Sequence, residues 1–559
     1  MEVAPILIAG GGPVGLAAAL ELARHDVRSL LLERHDSTTW HPKARNLNTR
    51  TMEITRGWGP VVHDGLTAVN LPTGWTSQII YTRTLAGAEL GRMPTRGFAG
   101  SGRRVSPEVP LLSSQDVFEP ILRQGAEATG LAELRFGHEV EHVDRGMADG
   151  DDRVIVTVKE LETGRRYQVG AEYLIAADGA ASSIRSQLGI ELDGPTGIGH
   201  FVNVYFKVDL DSFVAHRPAI LYFVADPAAR GVFQPLDARG RWLCQINYDG
   251  TKGAFEGYTP ERCIEWIRTA VGDPACAPEI LAVATWSMNA TVARRLVSGR
   301  VILAGDAAHQ LPPTGGFGMN TGIQDIHNLA WKLALVRAGV AGRGLIETYD
   351  TERRPVARFN ADRSLDNSRM VARIAATATG GAEDGASAEE TVAESRRYGN
   401  FLGMELGFSY DSAAIAPDGT EAPSPDDAVV DYVPSGRPGH RAPHVWLEHR
   451  GKRCSTLDLI GPGFTLLACE SAASWLEAAR IAGERLGIQV GASSIGPGGD
   501  FQDEPGDWKA QYGVDDEGAV LVRPDGHVAW RSAGGAPDPA DVILSTLRQV
   551  LDRTVRGPA

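Results

Sequence analysis

The sequence predicts an α/β protein in which a parallel-sheet domain is interrupted by an antiparallel sheet and followed by a second, smaller α/β unit. Three observations predict it. Residues 3–9 are a short apolar run suited to a buried parallel strand; a glycine turn follows, then helical spacing over 13–25 and a second apolar run over 27–32 that ends on Glu33. Residues 201–210, 220–225, 231–235 and 242–248 read as strands divided by turns with no long helix between them, the pattern of an antiparallel sheet. From about residue 442, short strands (464–468, 520–523, 527–531) again alternate with helices.

Between these landmarks, residues 130–159 alternate in short strands and lead to an apolar run over 173–177. A third strand over 301–304 enters a long helix near 319–338, where Ile323, Ile326, Ala330, Leu333 and Ala334 share one face. Two stretches read as connectors or flexible surface segments: 375–394, rich in Ala, Gly, Glu and Thr, and 413–443, rich in Pro, Asp and Gly.

With 559 residues, 43% of them hydrophobic, the chain can bury several cores. A net charge of −15 repels phosphate backbones and excludes a general nucleic-acid partner. Five cysteines form no C-x-x-C pair, which argues for a reducing compartment and against a structural zinc site; no metal is expected. The apolar stretch 5–20 is short for a membrane span, contains four glycines and follows Glu2 rather than basic residues. A soluble, cytoplasmic protein is the expectation.

Gly10-x-Gly12-x-x-Gly15 lies between the first strand and helix. Gly10 permits the tight turn, Gly12 lets a pyrophosphate approach the backbone, and Gly15 allows close strand–helix packing. Pro13 and Val14 open the helix whose amino terminus faces the phosphates. Glu33 ends the second strand, where its carboxylate can accept from ribose hydroxyls, and Arg34 follows it. This pattern binds a dinucleotide without separating FAD from NAD. Two later segments separate them: Asp178-Gly179-Ala180-Ala181-Ser182-Ser183-Ile184-Arg185, and Gly305-Asp306-Ala307-Ala308-His309 with the loop from Pro312 to Asn320. Asp306 can accept from a ribityl hydroxyl. Pro313, Gly316 and Gly318 let backbone amides approach a flat ring, and the helix near Met319 and Asn320 points its positive end there.

In this order, these segments resemble the FAD-dependent aromatic hydroxylases, single-component flavoprotein monooxygenases of the para-hydroxybenzoate and phenol hydroxylase type, including polyketide-tailoring members. The resemblance implies a Rossmann-like FAD-binding domain with an inserted antiparallel-sheet substrate domain and a C-terminal thioredoxin-like α/β domain. It divides the chain into 1–75, 105–190 and 285–370 for FAD, 76–104 and 191–284 for substrate, 371–441 as a helical linker, and 442–559 as the thioredoxin-like tail. It places Arg45 of the His41–Arg45 segment near the flavin, Gln115 near the ribityl chain and Val140 on the strand that meets the adenine. Asp178 falls in a segment shared between FAD and the nicotinamide cofactor. Arg185 is expected to form a structural ion pair and His309 to be packed or hydrogen-bonded. Cys454 and Cys469 are too far apart in sequence for a redox dithiol, so the tail is structural or an oligomer contact, a homodimer being the assembly it would serve.

The activity implied is a monooxygenase that consumes NADPH (or NADH) and O₂ and hydroxylates an electron-rich, phenolic small molecule through a flavin C4a-hydroperoxide, a polycyclic polyketide being one candidate. No catalytic acid or base is singled out. By domain position alone, Tyr222, Phe233, Gln234 and Trp242 are candidates for the substrate pocket. Baeyer–Villiger insertion or oxidative rearrangement on the same scaffold is the alternative, and a product with a ring oxygen would reveal it. A nicotinamide-dependent dehydrogenase would be colourless, and a non-catalytic flavin binder would stay yellow with NADPH.

Overall fold

The computed structural model describes residues 1–95, 104–144, 153–248, 257–377, 390–392, 399–503 and 506–553. The first sheet runs Val297–Ser298, Val301–Leu303, Arg166–Ala176, Glu2–Ala9, Ser29–Glu33, Ala132–Phe136, with all neighbours parallel except the first pair. The first half of Arg166–Ala176 also pairs antiparallel with Val154–Glu160, which pairs in turn with His138–Asp144. Ser29–Glu33 is buried at every position, as a parallel strand covered on both faces requires. The crossover helix Pro13–Arg24 starts on Pro13, whose missing N–H costs a first turn nothing.

The long helix Phe317–Arg337 packs between Pro13–Arg24 and the helix Gly344–Thr377. Instead of the single apolar stripe read from sequence, every residue from Asn320 to Leu333 is buried. Among the polar ones, Asn320, Asp325, Asn328 and Lys332 are tolerated because each is hydrogen-bonded inside.

The second sheet has seven strands: Glu279–Met288, Gly199–Lys207, Arg241–Tyr248, Gly231–Pro235, Leu221–Val224, Gln78–Thr82, Glu89–Pro94. Only Leu221–Val224 and Gln78–Thr82 pair in parallel. The helix Pro260–Val271, capped by Thr259 and stopped by the left-handed Gly272 (φ +81°), supplies Cys263, Ile267, Ala270 and Val271 to the core on one face of this sheet.

The tail folds as a thioredoxin-like unit. Its sheet runs Val490–Ile495, Phe464–Cys469, Ala519–Val522, Val528–Ser532, and the helices Ala473–Leu486 and Pro539–Val550 pack against each other. Cys469 is buried, with Sγ 2.9 Å from the Asp515 carbonyl oxygen, and all five cysteines are free. No helix among the described residues is long and apolar enough to cross a membrane.

The stretch 413–443 is not the loose connector its composition suggests. It ends in Arg441, which is fully buried and grips Glu53 of the helix Thr49–Arg56 through both carboxylate oxygens (Nε to Oε2 2.8 Å). Of the other expected connector, 375–394, residues 378–389 and 393–394 lie outside the described residues. Arg50 supports the junction, donating to Glu53 at 2.9 Å and to the Asp525 carbonyl oxygen at 2.6 Å. A second buried cluster joins Glu352 to Lys332 (2.7 Å), Arg523 (2.6 and 2.9 Å), Asn328 (2.6 Å) and Ser412 (2.6 Å). Burial opposes charge on Glu352, yet Arg523 and Lys332 overcome it and hold the carboxyl well below the usual range. Burial likewise pulls Lys332 down to about 8.

Candidate active site

The carboxyl ends of the parallel strands open into a cleft of about 1920 Å³ whose opposite wall is the seven-stranded sheet. Gly10 sits at φ +109°, and a Cβ there would meet the Ala177 carbonyl oxygen at 2.3 Å; one on Gly15 would meet the Gly10 oxygen at 1.9 Å. Gly12 differs: nothing lies within 4 Å of its missing Cβ, and the helix beginning at Pro13 has no side-chain cap. Its first-turn amides, with Val14 beside them, therefore face open space in the cleft. Glu33 borders the same space. Its Oε2 accepts from the Gly11 N–H at 2.5 Å, while Oε1 meets both the His35 N–H (2.9 Å) and His35 Nδ1, which leaves a lone pair on Oε2 for a hydroxyl. Arg34 and Val140 line this end as well.

At the other end, Gly305 (φ +60°) turns the chain so that Asp306 faces the cleft. The Asp306 carboxyl is open to that space but enclosed by protein around it, and this burial pushes it above the ordinary carboxylate range. Pro313, Gly316, Gly318 and Met319 line the cleft beside it. Gly316 (φ +71°) caps the Phe317–Arg337 helix without a side-chain hydrogen bond, and Gly318 has nothing within 4 Å of its missing Cβ. A second uncapped helix terminus with room in front of it thus meets the same cleft.

Arg45 crosses to the seven-stranded sheet, donating to the carbonyl oxygens of Pro235 (3.0 Å) and Ile220. Gln115 accepts from the Ala44 N–H at 3.0 Å and donates to Glu119 at 2.6 Å, fixing the 39–46 loop along the cleft. Asp178 lines the cleft while accepting from Ser182 Oγ (2.6 Å) and the Ile184 N–H (3.2 Å).

Other expected residues sit elsewhere. Asn320 does not line the cleft; it is fully buried, accepts from the Asn48 N–H at 2.9 Å and donates to the carbonyl oxygens of Asn46 and Gly316, so it locks the loop to the helix terminus. Among the described residues Arg185 forms no ion pair; it donates to the Ala307 and Ala180 carbonyl oxygens and so joins the two glycine-rich turns. His309 is buried with Nε2 2.7 Å from Asp325, itself paired to Arg353. Tyr222, Phe233 and Trp242 point to the far side of their sheet, into the core under Pro260–Val271, where Phe233 stacks on Trp266. Gln234 faces the cleft. Sequence reasoning did not single out Lys43 there, an exposed cation within the 41–45 segment, or Asn203; alternation groups Gln245 and Asn247 on one face of their strand, and the structure turns that face to the cleft.

Two uncapped helix termini and a carbonyl-anchored arginine supply donors, and a carboxylate supplies an acceptor, a set suited to a long anionic cofactor with hydroxyls along its length and a flat ring at one end. The open room at Gly12 and Gly318 fits FAD, and the class is that of flavin-dependent oxidoreductases. The family described as FAD binding domain matches residues 3–364, and the one described as aromatic-ring hydroxylase, C-terminal, matches residues 435–555. The chain is 34% identical to 2,4-dichlorophenol 6-monooxygenase of Delftia acidovorans, over 98% of each chain. Among solved structures it resembles the flavin-dependent monooxygenase PieE in complex with FAD and substrate (38% identity, 99% of each chain, TM-score 0.90). It also resembles aklavinone-11 hydroxylase with FAD and aklavinone (34% identity, 98% of this chain and 99% of that one, TM-score 0.87). This chain belongs to the FAD-dependent aromatic-ring hydroxylases. It is an FAD-dependent monooxygenase.

Proposed function

We propose that the protein hydroxylates the ring of a phenolic small molecule, with NADPH or NADH as reductant. The observation that carries this reading is a single cleft in which two uncapped helix termini and Asp306 face the seven-stranded sheet. Bound FAD supplies electron transfer from the nicotinamide and activation of O₂. The protein's part is to bind, orient and exclude water. The first-turn amides after Gly12 hold phosphates, and Glu33 accepts from the adenosine ribose. Asp306 accepts from the ribityl chain, while the amides near Gly318 and Met319 favour negative charge on the ring edge. Tyr81, Ile220, Phe223, Leu311 and Phe401 bring apolar surface to the cleft, which helps keep water from the reacting atoms.

In this reading 1–75, 105–190 and 285–370 hold FAD, and 76–104 with 191–284 hold substrate. Residues 371–441 and 442–559 brace them. The test is to reduce the FAD-loaded protein without air, mix it rapidly with O₂ and a phenol, and follow absorbance and product. A transient species before oxidised flavin returns, with a new phenolic hydroxyl by NMR, is expected. A ring-oxygen product, or direct return with no product from any phenol, overturns the reading.

A further inference from the structure

The turn that carries Asp306 is held from behind by one buried carboxylate. Asp325 lies in the first half of the helix Phe317–Arg337 and is fully buried. Its Oδ2 accepts from the Gly305 N–H at 3.3 Å and meets His309 Nε2 at 2.7 Å, so a single oxygen joins both ends of the segment 305–309. Its Oδ1 accepts from Arg353 Nε at 2.8 Å. Arg353 is fixed in turn, its Nη2 donating to the Thr321 carbonyl oxygen and its Nη1 to Tyr410 Oη, both at 3.1 Å. The Tyr410 ring stacks on His527 of the C-terminal unit (centroids 4.1 Å apart, planes at 26°). Gly322, on the same helix face as Asp325, permits the close approach: a Cβ there would stand 2.9 Å from Gly305 Cα and 2.6 Å from Val14 Cγ2. Burial opposes charge on Asp325, but His309 and Arg353 outweigh it and hold the carboxyl below its ordinary range. Pairing Arg353 occupies one oxygen; the other is given wholly to the turn.

We propose that Asp325 is a positioning residue for FAD, clamping the 305–309 turn to the helix whose amino terminus opens on the cleft. The inference rests on the cofactor contacts assigned above to Asp306 and to the amides near Gly318 and Met319. Those contacts come from two segments, and their separation is set by whatever joins the segments. Asp325 belongs to the helix, yet it bonds the backbone just before Asp306 and the His309 ring just after it. The ribityl chain and the ring edge of one FAD molecule lie at a fixed spacing, so acceptor and amides must be held at the matching distance by groups behind them. A carboxylate can do this and a carboxamide cannot, because three N–H donors converge on its two oxygens. Through Arg353, Tyr410 and His527 the same hold reaches the C-terminal unit.

The test is a cycle of FAD dissociation constants, measured by fluorescence titration of the full chain, for Asp325→Asn, Asp306→Ala and the double variant. Asp325→Asn is expected to raise the FAD Kd roughly five- to tenfold, as for loss of one acceptor that held two donors. In the Asp306→Ala background the same substitution should cost about twofold at most, because the clamp then has no ribityl acceptor to place. Tyr410→Phe leaves every buried charge paired. It should raise the Kd roughly two- to threefold and lose that effect in the same background, and it carries the comparison if Asp325→Asn does not fold. Blurred vibronic structure in the visible band of the bound flavin should accompany both variants. A Kd for Asp325→Asn within error of the wild type overturns the clamp. So do single losses that multiply in full in the double variant, since a pair that merely stabilises the core weakens FAD by the same factor with or without Asp306. A raised Kd in Asp325→Asn beside an unchanged one in Asp306→Ala would instead remove Asp306 from the cofactor contacts and leave the clamp acting through the backbone of the turn.

Discussion

Asp306 and Glu33 bracket the cofactor space, and each has a distinct consequence when removed. Asp306→Ala is expected to weaken FAD retention about tenfold, because an acceptor facing the cleft is lost; unchanged FAD content after dialysis would take Asp306 out of the site. Glu33→Ala should also lower FAD affinity while leaving the secondary structure intact, since it frees the Gly11 and His35 N–H groups as well. Fluorescence titration with FAD checks this. Glu405 gives a pH signature. It is buried, accepts from the Thr49 N–H at 3.0 Å, and burial pushes it up to about 7. A carboxyl raised on folding favours the folded state fully below its unfolded value near 4.5, and that contribution is lost as pH rises toward 7. Glu405→Gln should therefore gain melting temperature relative to the wild type between about pH 4.5 and 7, with a plateau above, worth on the order of 3 kcal/mol. A parallel pH profile for the two proteins would refute it. The glycines and Glu33 were legible in the sequence because their chemistry is local: a turn, a helix start and a strand end within a few dozen residues. Arg185 was misread because its partners are carbonyl oxygens, which no sequence pattern marks.

The helix Phe317–Arg337 shows what an element adds. Asn320 joins its amino terminus to the loop carrying Arg45 and Asn46. Asn320→Ala leaves one N–H and two carbonyl oxygens of that junction without this partner, at a cost of about 1–3 kcal/mol. Weaker FAD binding should accompany it, because the loop and terminus lose register; urea unfolding with and without FAD reads both effects. The sequence placed this helix within two residues but assigned it one buried face, since the helices on its other sides come from distant segments. The same limit governed the sheet. Alternation along Arg241–Tyr248 separates Trp242 and Cys244 from Leu243 and Gln245, yet only the docking of Pro260–Val271 decides which set is core.

At the scale of the whole molecule, the segment leading into the thioredoxin-like unit is tied to the helix Thr49–Arg56 through Arg441 and Glu53, 388 positions apart in sequence. No local pattern could reveal that pairing. Arg441→Met should strand the Glu53 charge against Arg50 alone and cost about 3–5 kcal/mol, as breaking a buried ion pair does; thermal unfolding of the FAD-loaded protein measures it, and a change within error would show that the junction is slack. The two faces of the seven-stranded sheet have a further consequence. Phe233 and Trp242 point into a closed core, whereas Gln234, Gln245 and Asn247 point into the cleft with no protein hydrogen-bond partner among the described residues. Heritable change is thereby partitioned: alternate codons along the same strands are free to drift or be selected for new ligands, while their neighbours stay fixed by packing. A lineage can explore chemical diversity on such a surface one residue at a time without first rebuilding the scaffold.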